Sequence, residues 1–108
     1  MARIINISDR LDNAKPTIVI GSKEYPVNDS LETMVKLQEL ITEIGSIEKC
    51  EKAVEVALGK TACKEINVKS YSFKNYRVLI AGILAAIQDT EDVDAILSRF
   101  QAEETNNP

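Results

Sequence analysis

Residues Tyr76 to Ile87 read YRVLIAGILAAI and are apolar on nearly every face that a helix can present. A helix at a protein surface shows a polar stripe, whereas a helix without one must be covered on most sides. A membrane span needs about 20 consecutive apolar residues, and here charged side chains at Lys74 and Asp89 bound the stretch closely. The stretch therefore predicts a central helix, from near Phe73 to about Gln88, that is buried by protein.

The composition describes one soluble domain. At 108 residues the chain has room for a single core, and its 44% apolar and 28% charged residues are typical of a globular protein. The net charge of −4 argues against a nucleic-acid-binding module, which carries an excess of Lys and Arg on one face. We therefore expect protein partners, and neither nucleic acid nor membrane.

The chain offers few groups for catalysis or metal binding. It contains no histidine, which removes the commonest general base and transition-metal ligand. Its two cysteines, Cys50 and Cys63, form neither a disulfide framework nor a zinc-ligand spacing, and free thiols that pack as small hydrophobes are expected. We therefore predict no catalytic, metal-binding or cofactor-binding residue and no enzymatic activity.

The N-terminal third shows β patterns. Arg3 to Ile7 is short and β-prone, and we interpret it as either an edge strand or an ordered arm. Thr17–Ile20 and a second alternating run from Glu24 to Val27 are separated by about three residues that include a glycine, which predicts a hairpin. Pro26 cannot donate to a sheet ladder, so it must face away from a partner strand or lie at the strand's end.

Helical spacing dominates from residue 30 onward. Ser30 and its two predecessors are candidate N-caps for a first helix that ends at Gly45, and Ser46 starts a second that ends before Gly59. Residues 60–67 are a turn or short helix. Ser70 or Ser72 caps the central helix. A last helix begins after a cap at Asp89 or Thr90.

These elements predict an α+β, mainly α, single domain over residues 1–108. An arm and a β-hairpin or small antiparallel sheet occupy 1–29, and about four helices around the buried central one occupy 30–100. The polar tail at 101–108 is expected to be flexible. Gly82 inside the central helix has two interpretations of equal weight, close approach of another backbone or simple tolerance.

For two clusters of charged residues we favour a structural role over a binding site. The acidic groups around Glu48 and Glu91 lie at helix starts and on solvent faces, where they cap and solubilise rather than hold a cation. The basic residues Lys69, Lys74 and Arg77 interleave with aromatics, as in single-stranded nucleic acid sites, but the negative net charge favours packing of the aromatics at the helix start.

The last helix carries an apolar stripe with two possible roles. Val93, Ile96, Leu97 and Phe100 follow one another at helical spacing. The favoured interpretation is that they complete the core against the central helix. The alternative is that the stripe is presented to another chain, as amphipathic helices laid in grooves are.

The order of segments resembles the small tail assembly chaperones of long-tailed bacteriophages and prophages of Gram-positive bacteria. The segments that carry the resemblance are RIINISDRLD, PTIVIGSKEYPVN, SLETMVKLQELI, YRVLIAGILAAI and the acidic start of the terminal helix. The resemblance covers most of the chain and includes no catalytic motif.

The resemblance implies a non-enzymatic protein of the host cytoplasm that is absent from the mature virion. It implies binding to the tape measure protein and recruitment of tail tube subunits, and a homo-oligomer is possible. The N-terminus lacks the apolar run of a signal peptide, which agrees with that location. The alternatives are a structural virion component, such as a head-tail connector or tail completion protein, and another small protein-binding module. The predicted partner-binding residues are Val93, Ile96, Leu97 and Phe100 on the last helix, and Ile18, Ile20, Tyr25 and Val27 on the hairpin.

Overall fold

The computed structural model describes residues 2–12, 14–41 and 46–98. Over these residues the chain has the predicted α+β, mainly helical fold, a two-stranded antiparallel sheet followed by five helices. The strands are β1 (Thr17–Ile20) and β2 (Lys23–Pro26). The helices are α1 (Leu31–Ile41), α2 (Ile47–Leu58), α3 (Lys60–Ile66), α4 (Phe73–Ile87) and α5, whose described part is residues 93–98.

The N-terminal segment is an arm and not a strand. Residues 2–7 have no regular secondary structure, and a single 3-10 turn follows at Ser8–Arg10. The Ser8 backbone N–H donates to Asn6 Oδ1 at 3.0 Å, which ties the turn to its own start. The arm therefore reaches the hairpin without pairing to it.

The hairpin has a tighter turn than the sequence predicted. Ile20 pairs with Lys23, so the loop is only Gly21 and Ser22. Gly21 has φ +63°, a conformation that suits the first central position of a type II′ turn. Because Ile20 and Lys23 flank a two-residue turn they form a hydrogen-bonded pair, and bonded and non-bonded pairs then alternate along the ladder.

This alternation explains how Pro26 fits into β2. Pro26 lies opposite Thr17 at a non-bonded position, where its missing N–H costs no ladder bond. The next bonded pair is formed by the Val27 N–H, which donates to the Pro16 carbonyl at 2.8 Å. The prediction that Pro26 faces away from its partner strand is confirmed.

Serine side chains cap three helices at predicted positions. The hydroxyls of Ser30, Ser46 and Ser72 accept backbone N–H bonds from Thr33 (3.1 Å), Lys49 (3.2 Å) and Asn75 (3.0 Å). Each bond satisfies one donor that has no partner inside its helix. Gly59 ends α2 with φ +94°, as its predicted C-terminal role requires. Gly45 lies outside the described residues.

Two helix boundaries differ from the sequence expectation. Residues 60–67, for which the sequence predicts a turn or a short helix, form the helix α3 and its C-cap, Asn67, which has a left-handed conformation with φ +55°. The predicted cap of α5 is wrong, because Asp92 is the residue whose carboxylate accepts the Ala95 N–H at 2.9 Å. Asp89 belongs to the end of α4 instead.

The end of α4 has the hydrogen bonds of a Schellman motif. Asp89 has φ +56° and donates its N–H to the Ala86 carbonyl, and the Thr90 N–H donates to the Ala85 carbonyl at 2.9 Å. Aspartate tolerates this left-handed conformation better than most residues because its short polar side chain can bond locally. Asp89, which resembles an N-cap in the sequence, is therefore part of the C-terminal motif of the preceding helix.

The core is centred on α4, as predicted. Seven of its fifteen residues are buried, and Ile83 is fully so. Each of the other main elements supplies one large, fully buried anchor: Val27 after the hairpin, Leu37 on α1 and Val54 on α2. A further bond ties the hairpin to α2, because the Asn28 N–H donates to the Ala57 carbonyl at 2.8 Å.

Gly82 is expected to be replaceable with a gain in stability. A Cβ built at this helical position would have nothing within 4 Å, so no other backbone requires the glycine. Alanine loses less backbone entropy on folding, and Gly82→Ala should raise the free energy of unfolding by about 0.5 to 1 kcal/mol. Urea denaturation of the variant measures this gain. A loss of stability would show that Gly82 serves a close contact in the assembled protein.

Candidate functional site

The predicted partner-binding residues face the core. Tyr25 and Val27 are buried, and Ile18 and Ile20 are half-buried on the same face of the hairpin. On α5, Ile96 is buried, while Val93 and Leu97 are half-buried and pack against the same hydrophobic cluster. Phe100 lies outside the described residues. In this arrangement the hairpin and α5 cover the central helix.

The arm and the 3-10 turn after it carry several exposed apolar side chains instead. Ile4 is 92% exposed, Ile5 73%, Ile7 53% and Leu11 63%. An isolated exposed hydrophobic residue is ordinary, but four on one short segment form a patch of the kind that binds a partner. The sequence could have indicated this exposed patch, because three isoleucines lie within four residues and no predicted helix or strand pairs with that segment.

A second feature is the uncharged groove between β1 and the N-terminal half of α4. It is open, has a volume of about 390 Å³, and contains no charged side chain. Val78 on α4 is an exposed wall of the groove, and Val19 borders the groove at the edge of β1, since its side chain points to the face opposite Ile20. We call it the β1–α4 groove; its lining residues are Val19, Ile20, Gly21, Tyr71, Asn75, Val78 and Leu79.

The outer edge of β1 is open for pairing. The ladder alternation directs the N–H and C=O groups of Thr17 and Val19 away from β2, and both residues are exposed. The corresponding edge of β2 has charged side chains at Lys23 and Glu24 and a proline that offers no donor. Charges and proline are the usual protection of an edge strand, so only the β1 edge is unprotected.

An ion pair holds the hairpin against α3. Lys23 Nζ lies 2.8 Å from Glu65 Oε1, and the Tyr25 hydroxyl donates to the same carboxylate. These two hydrogen bonds and the lysine charge lower the pKa of the Glu65 carboxyl, and the carboxylate in turn raises the pKa of Lys23. The cluster links β2 to α3 at the surface.

This ion pair predicts a pH dependence of stability. The folded-state pKa of Glu65 lies below its ordinary value of 4.5, so its contribution is present above pH 4.5 and is lost as the pH falls through the lowered pKa. The difference in unfolding free energy between the wild type and Glu65→Gln should therefore shrink on acidification. Urea midpoints across that range measure it. Glu24→Gln, at an exposed position on the same strand, is the control and should show no such trend.

The cysteines take the packing role predicted for them. Both are free and half-buried. The Cys63 thiol lies 3.4 Å from the Glu51 carbonyl, and burial raises its pKa, which favours the protonated thiol. Burial, and then a hydrogen bond between the Tyr76 and Cys50 side chains, raises the pKa of the Tyr76 phenol above its ordinary value. Within the described ranges no three metal-ligating side chains are grouped together.

The basic and aromatic residues near the start of α4 do not form one surface. Tyr76 is buried and Tyr71 lines the groove, whereas Phe73 is exposed with the Arg77 guanidinium 5.6 Å from its ring centre. Only one aromatic ring is therefore free to stack with a base. The packing interpretation holds for Tyr76 and not for Phe73.

No protein-family model, curated protein or solved structure matches the chain. In the described parts of the chain, every helix is too short or too polar to cross a bilayer.

Proposed function

We propose that this chain is a non-enzymatic tail assembly chaperone of a long-tailed bacteriophage or prophage, which binds the tape measure protein and helps recruit tail tube subunits. The protein would act in the host cytoplasm and be absent from the mature virion. The observation that supports this proposal is the amount of apolar side chain left outside the core, on the arm and in the β1–α4 groove.

The physical argument concerns the client. A tape measure protein of the kind implied by the resemblance has long hydrophobic helices that aggregate unless their apolar stripes are covered. An open, uncharged groove suits such a stripe, because burial of apolar surface supplies affinity and no charge must be desolvated. The net charge of −4 keeps a protein with exposed apolar surface in solution.

The proposal is tested by co-expression with a tape measure protein from the genome that encodes the chain. Val78→Asp places a charge in the groove and should reduce co-purified tape measure protein about tenfold, since each 1.4 kcal/mol of lost affinity is a factor of ten. Thr61→Asp adds the same charge at an exposed position on α3 and should retain the client. Equal retention by both folded variants would exclude the groove as the client site.

The runner-up function is a structural virion component, such as a connector or tail completion protein. An exposed arm also suits a subunit that is built into a particle. The two functions differ in whether the chain is present in the mature virion. Mass spectrometry of purified particles separates them. A chaperone should be absent, and a stoichiometric amount of the chain in the virion would contradict the chaperone proposal.

A further inference from the structure

We propose that two copies of this chain exchange their N-terminal arms, so that residues 3–7 of each copy add as a strand to the open edge of β1 in the other and fill its β1–α4 groove. The exchange describes the protein without a client. It does not rest on the identity of that client.

The first argument is the match between the edge and the arm. The β1 edge presents unpaired N–H and C=O groups at Thr17 and Val19, and an added strand is the usual way to satisfy them. The arm supplies three β-branched isoleucines without regular structure of its own. Of the segments that the structure describes, it is the one with both β-prone sequence and exposed large side chains.

The second argument is chemical complementarity between the arm and the groove. Residues 4–7 of the arm carry no charge, and neither do the groove residues; the one charge of the exchanged strand is Arg3, at its N-terminal end. Successive side chains of a strand point to opposite faces, so Ile5 and Ile7 would enter the groove together while Ile4 and Asn6 share the face of Val19. The charged β2 edge would instead oppose the arm with Lys23 and Glu24.

The third argument is the path of the chain, which favours a second copy over the arm's own groove. The segment that follows the arm lies against the C-terminal end of α4, near Ala86 and Ile87. The groove lies beside the other end of the same helix, near Asn75. In the structure the arm does not occupy its own groove, since Ile4 is 92% and Ile5 73% exposed and no arm residue lines the groove.

The buried area is sufficient for a dimer. A two-fold exchange buries the three arm isoleucines of each copy, Ile4, Ile5 and Ile7, and a matching surface on the other copy. This amounts to on the order of 1,200 Å², at the lower end of stable protein interfaces. Because the contact is reciprocal, it closes on itself and does not propagate into a filament.

The oligomeric state of the full chain tests the exchange. Light scattering during gel filtration should give twice the chain mass of 12.0 kDa. Ile5→Asp/Ile7→Asp should return the protein to a monomer. The control Leu31→Asp/Val35→Asp changes two comparably exposed residues on α1 and should remain a dimer. A monomeric wild type, or a dimer insensitive to the arm variant, would overturn the proposal.

Disulfide trapping identifies the contact itself. A mixture of the Asn6→Cys chain with a Val19→Cys or Thr17→Cys chain should form a mixed disulfide on mild oxidation, since the two positions on β1 share one face. Glu24→Cys on the β2 edge should not react, and the parent chain with its native cysteines is oxidised in parallel. An Asn6→Cys/Val19→Cys chain that closes a disulfide within one monomer would show that the arm binds its own edge, and would overturn the exchange.

Discussion

Ile83→Ala is expected to lower the free energy of unfolding by about 2 to 5 kcal/mol, the range for truncation of a large buried aliphatic side chain. Ile83 is fully buried near the middle of α4, with Ile80 and Leu84 buried beside it in sequence. A cavity at this position removes contacts from several elements at once. Domains of this size are stable by only about 5 to 15 kcal/mol, so the variant approaches the limit of folding.

The matched control is Val78→Ala on the same helix. Val78 is 43% exposed, and its truncation should change the free energy of unfolding by less than about 1 kcal/mol. Urea denaturation followed by circular dichroism measures both variants. Similar losses for Ile83→Ala and Val78→Ala would show that α4 is not the centre of the core.

Leu37→Ala is expected to cost a similar amount, about 2 to 5 kcal/mol, and to act first on α1. Leu37 is the only large apolar side chain of α1 that is fully buried, and Thr33 is the only other buried residue of the helix. The remaining contacts of α1 come from half-buried side chains such as Met34 and Leu40. The helix therefore depends on one anchor.

Native-state hydrogen exchange distinguishes a local effect from a global one. In Leu37→Ala the amides of α1 should lose protection more than those of α4, because a weakly anchored element opens separately from the core. Val35→Ala, at an exposed position two residues earlier, should leave the α1 amides protected. Uniform loss of protection across α1 and α4 would contradict an independent opening of α1.

Local chemistry was readable from single residues. Ser46, Ser72 and Gly59 could be assigned to helix ends because capping depends on a few neighbouring atoms. Pro26 was placed correctly because a missing donor restricts a strand whatever surrounds it. The buried α4 followed from hydrophobicity on all of its faces.

Other assignments depended on where an adjacent helix ends or packs. Asp89 resembles a helix N-cap, but α4 continues far enough to take it into a Schellman motif, and Asp92 caps α5 in its place. For Gly82 the sequence left close approach and simple tolerance equally open, and the packing contains no close approach. Neither outcome is visible in a pattern, because each depends on where an adjacent helix stops or lies.

The candidate site shows the same division. Period-2 alternation predicted that β1 has an inner and an outer face, but it could not show that its outer edge is left open while β2 is protected. The exposure of Ile4 and Ile5 likewise depends on the path of the arm past α4. Hydrophobicity indicates that a side chain tends to be buried and says nothing about which surface covers it.

The amino-acid sequence by itself thus determined the α+β class, the hairpin, the caps of α1 and α2 and the central helix, since these follow from periodicity and short-range hydrogen bonds. Only the tertiary structure decided that the hairpin face and the described part of α5 cover α4, and that the arm and the β1–α4 groove are left over. The reason is that burial is a pairwise property. A sequence shows which surfaces are apolar, but only the folded chain shows which of them pack against each other.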